Sequence, residues 1–274
     1  MVKLRDGLGF SKTSNVSRKL SESLNLITPL GNTGFSHGSL AATRGTLRIA
    51  ETFQSRQGEG KLTGTESFFI RTSGCNLRCW FCDTPYASWN PKGDQTRFDQ
   101  ILAQVQASGL QHVVLTGGEP MLSSESTSLC NLLRAEGFHL TVETAGTIDR
   151  ETPCDLLSIS PKFKSSTPDS NEHPKWSKLH EQRRMPIAIM QRLINAAIDY
   201  QIKFVVDSPA DYDELLEIVE QLGVPAESVW IMPQGSTNEA MDAAAPWLKT
   251  WVEEAGFHYC DRMQIRWYGN RRGT

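Results

Sequence analysis

The chain has no apolar run approaching the roughly 18 residues that a membrane-spanning helix needs. No apolar h-region follows Met1, which argues against a secretory signal. Excess charge is also missing: 28 Lys and Arg against 31 Asp and Glu leave a net charge of −3, so no basic surface points to nucleic acid as a partner. The cysteine density of a small disulfide-stapled domain is absent too. There are six cysteines in 274 residues, and three of them crowd into one short stretch, a pattern that suits a reducing cytoplasm better than an oxidising compartment. What is present, 39% apolar and 22% charged residues, is the composition of an ordinary globular protein. The length suffices for one large α/β domain or two small ones.

Residues 1–46 differ from the rest. They are rich in Ser, Gly, Asn and Thr and basic on balance, and are expected to form a disordered extension. Val16, Leu20, Leu24 and Ile27 could make a short helical stripe there, and the acid-poor make-up is similar to that of a transit peptide. A folded domain is expected over 47–274. Arg48 to Phe53 and Ser67 to Arg71 read as strands, and apolar residues at Phe98, Ile101, Leu102 and Val105 predict a helix. Strand and helix then alternate. Strands are predicted at His112 to Thr116, Phe138 to Glu143, Leu156 to Ser160, Ile202 to Val206 and Val229 to Met232, with a last one at Gln264 to Tyr268. Helices are predicted up to Glu136, with Gly137 as the stop, and over 187–199, 211–222 and 239–254. A polar stretch from Lys164 to Pro186 interrupts this rhythm and reads either as a lid or as a solvated insertion. Strands joined through helices imply parallel pairing with right-handed crossovers. About six such strands suit an open, partial (β/α)6-type barrel of the α/β class, with its polar motifs after strand C-termini.

The stretch that organises the chain is Gly74-Cys75-Asn76-Leu77-Arg78-Cys79-Trp80-Phe81-Cys82-Asp83-Thr84. A structural zinc site wants four ligands, usually as two CxxC-type pairs. Here there are three cysteines, and no fourth Cys or His lies close in sequence. A [4Fe–4S] cluster is normally held by four thiolates, so three would leave one iron open to another ligand. Three readings stand on spacing alone: such a cluster, a zinc site with a remote fourth ligand, and unligated cysteines. Cys130, Cys154 and Cys260 read as buried small hydrophobes. Trp80 and Phe81 would either shield the metal from water or pack in the core.

The Cys75-x-x-x-Cys79-x-x-Cys82 spacing resembles the signature of radical S-adenosylmethionine enzymes, and Gly117-Gly118-Glu119-Pro120 after a strand resembles that family's GGE motif. The resemblance implies a partial or complete (β/α) barrel. It also implies a [4Fe–4S] cluster whose open iron binds S-adenosylmethionine, and a 5′-deoxyadenosyl radical that takes hydrogen from a substrate. Further segments are similar to one branch, the 7-carboxy-7-deazaguanine synthases of the queuosine and deazapurine pathways. They are Phe53 to Gly60, Phe69 to Cys75, Cys82-Asp83-Thr84, Thr116 to Pro120, Glu143 to Thr147, Ser158 to Lys162 and Trp267 to Gly273, in the family's order. Ala145 departs from the pattern, where the family often has Asn.

This narrower resemblance implies ring contraction of 6-carboxy-5,6,7,8-tetrahydropterin to 7-carboxy-7-deazaguanine with loss of ammonia. Cys75, Cys79 and Cys82 would hold the cluster and Thr84 a Mg²⁺ ion. S-adenosylmethionine would meet Phe81, Cys82, Asp83, Gly118, Glu119, Ser160, Pro161, Lys162 and the run Met232, Pro233, Gln234 and Gly235. The pterin would meet Arg56, Gln57, Gly58, Glu59, Arg71 and Thr116. The chain end would fold back so that the Thr274 carboxylate also touches it. Glu143 is the candidate for handling a proton or the departing nitrogen. The resemblance further implies a homodimer and an electron donor such as flavodoxin or ferredoxin, with neither nucleic acid nor membrane as partner. Two other functions stand beside this one: a glycyl-radical activase, which would share the cysteine loop but not need Gln57 to Gly60, and a non-enzymatic iron–sulfur or zinc module.

Overall fold

The computed structural model describes residues 44–274. The helical stripe at 16–27 and nearly all of the expected extension lie outside the described residues. From Thr46 the chain runs β1 (Thr46–Arg56), β2 (Glu66–Thr72), β3 (Asp94–Arg97), α1 (Phe98–Ser108), β4 (His112–Gly117), α2 (Glu125–Ala135), β5 (His139–Thr144) and β6 (Leu156–Ile159). It continues through α3 (Pro174–Arg183), α4 (Ile187–Ala196), β7 (Tyr200–Val206), α5 (Tyr212–Leu222), β8 (Val229–Pro233), α6 (Asn238–Ala255), β9 (His258–Tyr259) and α7 (Met263–Tyr268).

The nine strands among the described residues share one sheet in the order β3-β1-β2-β4-β5-β6-β7-β8-β9. From β2 to β9 every pairing is parallel, while β1 is antiparallel to both β2 and β3. The partial barrel expected from the alternation is present, and its edge strands, β3 and β9, do not pair with each other.

A period of two sorts the strands. Phe68 and Ile70, Val113 and Leu115, Leu140 and Val142, Leu157 and Ile159, Ile202, Phe204 and Val206, and Val229 and Ile231 all point outward into one core. That core is completed by Phe98, Ile101 and Val105 of α1, Leu129 and Leu133 of α2, Met190 of α4, Leu215 and Ile218 of α5 and Leu248 of α6. Burying one such aliphatic side chain stabilises the fold by about 1.5–3 kcal/mol. The intervening residues point inward, and there the side chains turn polar: Arg71, Thr116, Glu143, Ser158 and Lys203 all line one cavity. Cys130, Cys154 and Cys260 are buried, as expected of small hydrophobes.

Four expectations change. Gln264 to Tyr268 is helical, not a strand. The Gly58 carbonyl accepts from Met263 N at 3.0 Å at the start of this turn, so tertiary contact overrides the β-propensity of Ile, Trp and Tyr. The last strand is instead the two-residue β9. The polar stretch after Lys164 contains a helix, α3, whose apolar side is too narrow to announce it from sequence. The loop after β1 is also placed differently from the other motif loops. Because β1 runs antiparallel, Arg56 pairs with Glu66 at the start of β2, so Gln57 to Thr65 emerges at the N-terminal end of the parallel strands. It forms the floor of the barrel there. Gly60 N donates to Cys260 Sγ at 3.0 Å, Lys61 N donates to Gln201 Oε1 at 2.8 Å, and Lys61 Nζ meets Asp199 at 2.7 Å, so the loop spans the gap that the sheet leaves open.

Beside the floor, His112 is buried, 2.5 Å from Ser67 Oγ through Nδ1 and 2.9 Å from Thr141 Oγ1 through Nε2. Burial pulls its pKa down to about 4, the neighbouring His139 adds to this, and Asp155 opposes it. A histidine whose folded pKa lies below its unfolded value near 6.5 stabilises the fold above pH 6.5, and that contribution is lost as pH falls toward 4. His180, also held down to about 4 by burial, acts in the same direction. The His112→Gln variant is therefore expected to lose less of its thermal midpoint between pH 7 and pH 4.5 than the parent chain. Parallel pH profiles of the two proteins would contradict this role for His112.

Candidate active site

A cavity of about 570 Å³ fills the barrel interior from the floor loop to the cysteine loop. At one end, Cys75, Cys79, Phe81, Cys82, Asp83 and Thr84 face it; at the other, Arg56, Gln57, Gly58 and Glu59 do. Between them stand Arg71, Thr116, Gly118, Glu143, Ser160, Lys162, Met232 and Gln234, and the chain end from Gly269 to Thr274 forms a further wall. Most residues singled out in the sequence thus converge. Glu119, Pro161, Pro233 and Gly235 are not on that wall.

The cysteine loop is pressed against the strand-end glycines. A Cβ on Gly118 would lie 2.2 Å from Gly74 O and 2.5 Å from Ala87 O, so only glycine fits. Glu119 N donates to Gly74 O at 2.9 Å. The buried Glu119 carboxylate turns away from the cavity and accepts from Met121 N, Thr144 Oγ1 and Ala145 N at 3.0, 2.8 and 2.9 Å. Burial pushes its pKa up, and these donors partly offset that. Glu119 therefore fixes the turn and the loop after β5. Ala145 takes part through its backbone, which any residue provides.

The donor set suits an iron–sulfur cluster. Three thiols of one loop face one cavity, and burial pushes Cys75 up to about 12 and Cys79 up to about 11. Bound iron would stabilise the thiolates that burial disfavours. Among the described residues, no group of three or more His, Cys, Asp or Glu side chains forms a site for a metal ion. Three thiols leave a four-iron cluster one iron without a protein ligand, and among the described residues no fourth Cys or His lies on the cavity wall to complete a tetrahedral zinc site. Trp80 departs from both of its expected roles: it is half-exposed, its indole N–H donating to Ser165 O at 2.8 Å. Thr84 presents its hydroxyl 3.7 Å from Cys82 Sγ, and Ser88 Oγ lies closer, at 3.1 Å.

At the floor, carboxylates and cations interlock. Gln57 Nε2 donates to Glu143 Oε1 at 3.0 Å, and Thr116 Oγ1 donates to Glu143 Oε2 at 2.9 Å. Glu59 accepts from Lys203 Nζ at 2.5 Å and from Gln264 Nε2 at 2.6 Å, with Arg262 Nε 3.6 Å away. Burial would raise the Glu59 pKa, but the Lys203 ammonium and the Arg262 guanidinium hold it well below the usual carboxylate range. Lys203 is itself buried; burial works against its charge, and Glu59 and Glu143 more than restore it. Arg262 then reaches outward, pairing with Asp83 and donating to Gly235 O at 2.6 Å. One guanidinium thereby joins the floor loop, the cysteine loop and the loop after β8.

Arg71 is engaged in an ion pair, its Nε 2.8 Å from Glu51. Glu51 also accepts from Tyr86 Oη at 2.6 Å and from Arg272 Nε at 2.6 Å. Arg272 stacks over the Tyr86 ring at 4.1 Å, which latches the chain end against β1. Lys162 Nζ bonds to Ser160 Oγ at 2.6 Å and Ser160 O at 2.9 Å. Sequence reasoning missed Lys203, Arg262, Gln264 and Glu51. Lys203 carried a signal, a lone charge within the apolar run Ile202-Lys203-Phe204-Val205-Val206; the others carried none.

With this geometry in view, comparison with known proteins is decisive. The model of the radical SAM superfamily matches residues 69–164. The 7-carboxy-7-deazaguanine synthase of Rhodopirellula baltica is 54% identical over 90% of this chain and 96% of its own length. The chain belongs to the 7-carboxy-7-deazaguanine synthase family. The synthase of Halobacterium salinarum is 42% identical over 86% of this chain and 96% of its own length. The crystal structure of QueE from Escherichia coli aligns with a TM-score of 0.59 at 24% identity, over 82% of this chain and 98% of that one, and supports the fold.

The enzyme's floor makes a quantitative claim. Removing one partner of a buried ion pair costs about 3–5 kcal/mol, whereas replacing both with uncharged groups is far milder. Lys203→Met is therefore expected to lower the urea stability of the metal-free enzyme by roughly 3–5 kcal/mol. Adding Glu59→Gln should restore part of the loss. A double variant no more stable than Lys203→Met would show that the pair is not coupled.

Proposed function

We propose that the enzyme converts 6-carboxy-5,6,7,8-tetrahydropterin to 7-carboxy-7-deazaguanine with release of ammonia, using a [4Fe–4S] cluster, S-adenosylmethionine and Mg²⁺. The observation that carries this reading is that one cavity holds both the three-cysteine loop and the Gln57-Gly58-Glu59 loop. A glycyl-radical activase has no use for the second. When bound, the cluster and S-adenosylmethionine supply an adenosyl radical that removes hydrogen from the substrate. Every other step falls to this chain's residues.

Cys75, Cys79 and Cys82 would hold three irons, and Phe81 would limit water near them. Gly118, Ser160, Lys162, Met232 and Gln234 line the wall where S-adenosylmethionine fits; Lys162 is the cation for its carboxylate. Glu59, kept anionic, is an acceptor for the amino and ring N–H groups of a pterin. Gln57 and Thr116 aim Glu143 into the cavity, where it can hold a proton or orient the departing nitrogen. Arg71 keeps its terminal nitrogens for the substrate carboxylate while Glu51 fixes its Nε. Thr84 offers a hard oxygen to Mg²⁺, which commonly keeps waters and binds substrate oxygens. The latched chain end brings Thr274 to the cavity wall, where its carboxylate would meet the pterin.

No helix among the described residues is long and apolar enough to cross a membrane. A reducing cytoplasm, a flavodoxin- or ferredoxin-like electron donor and a homodimer complete the proposal.

An anaerobic assay of the cluster-loaded enzyme with reductant, S-adenosylmethionine, Mg²⁺ and the carboxytetrahydropterin tests the reading. Formation of the deazapurine is expected, and replacing any one of the three loop cysteines with Ala should abolish it. No product from cluster-loaded protein would overturn the assignment. Deleting residues 269–274 should raise KM for the pterin by roughly tenfold or more, the equivalent of about 1.4 kcal/mol. An unchanged KM would remove the chain end from the substrate site.

A further inference from the structure

The polar stretch after Lys164 packs along the outer side of the cysteine loop and supplies partners to its backbone. Arg183 Nη1 donates to Asn76 O at 3.2 Å. Arg78 N donates to His180 Nδ1 at 3.1 Å. Trp80 N donates to Ser166 O at 3.1 Å. The Arg78 side chain folds back to Cys75 O and Leu77 O at 2.8 and 2.7 Å, and Trp176 covers its guanidinium at 3.9 Å. Asn76 and Arg78 lie between Cys75 and Cys79, and Trp80 lies between Cys79 and Cys82, so α3 and the turn before it grip the loop between its thiols.

His180 is at the centre of this grip and fully buried. Ser166 Oγ donates its one hydrogen to Phe163 O at 2.6 Å, so it accepts from His180 Nε2 at 2.9 Å. That leaves the Nδ1 lone pair for the Arg78 N–H. The tautomer follows from the partners, and the imidazole becomes a fixed acceptor for the peptide between Cys75 and Cys79.

We propose that α3 and the Lys164–Ser166 turn form a clamp that holds the cysteine loop in its ligand-presenting shape, with His180 as the positioning residue. This rests on the cluster reading given above. Rotation of the peptide joining Leu77 and Arg78 would re-aim the neighbouring thiols, and the acceptor at Nδ1 opposes that rotation. Groups that orient metal ligands from behind are worth roughly 10–100-fold in metal affinity. The clamp therefore acts on retention of the cluster, separately from any contact with substrate.

The test uses the full chain, reconstituted anaerobically with iron and sulfide, and reads iron per chain and the rate of iron loss to a ferrous chelator. His180→Leu should release iron roughly 10–100-fold faster than the parent. His180→Asn, which can present an amide oxygen to Arg78 N, should recover most of the retention. Arg183→Ala, a change at an exposed side chain, should shift release in the same direction by a smaller factor. Lys175→Ala, on the outer face of α3, should match the parent. Release from His180→Leu at the parent rate would overturn the clamp, as would a His180→Asn variant no better than His180→Leu. If His180→Leu fails to fold, Arg183→Ala decides: faster release supports the clamp, and an unchanged rate overturns it. A parent chain that takes up no cluster would overturn the functional reading itself, and the clamp with it.

Discussion

The ammonium of Lys203 sits inside the barrel with almost no access to water, 2.5 Å from Glu59 and 3.9 Å from Glu143. A charge so placed is tolerable only if opposite charges face it closely. That requirement fixes the loop after β1 as the floor of the barrel. The sheet does not close on itself, and hydrogen bonding between strands cannot bridge β3 and β9. The gap is spanned by Glu59 reaching Lys203, by Gly60 and Lys61 reaching Cys260 and Gln201, and by the α7 turn docking on Gly58. An open fold thereby acquires a closed end, and a cavity of about 570 Å³ lies above it.

The same charges link the two ends of that cavity. Arg262 touches Glu59 on the floor, Asp83 next to the last cluster cysteine, and the carbonyl of Gly235 in the loop after β8. A single side chain thus ties the cysteine loop to the floor loop. The cysteine loop is held from inside by the glycines after β4 and from outside by α3. Asp83 and Thr84 follow the last of the three cysteines and line the same cavity.

What the sequence discloses and what it hides follow from range. The Cys75-Cys79-Cys82 spacing, the Gly117-Gly118-Glu119-Pro120 turn and the outward apolar residues of β4 to β8 are local patterns, and each is legible by counting. Whether Arg71 is a ligand or half of an ion pair depends on Glu51, twenty residues away and on a different strand. Arg262 has no local signature because its partners lie 179 residues away at Asp83 and in two further loops. The sequence of α7 looks like a strand because Ile265, Trp267 and Tyr268 favour sheets, and only the docking of Met263 on Gly58 makes it helical. The stretch after Lys164 reads either as a lid or as a solvated insertion because its contacts are made to backbone atoms of another loop, which no composition reveals.

The claim on which all of this turns is that cluster, S-adenosylmethionine and pterin share the one barrel cavity between the cysteine loop and the Glu59 floor. The most direct measurement is an anaerobic crystal structure of the reconstituted enzyme with S-adenosylmethionine and the carboxytetrahydropterin bound. The account predicts a cluster on Cys75, Cys79 and Cys82, with the pterin ring against Gln57 and Glu59 and the Lys203–Glu59 pair intact beneath it. A cluster bound elsewhere, or a pterin seated outside the barrel away from Glu59, would contradict it.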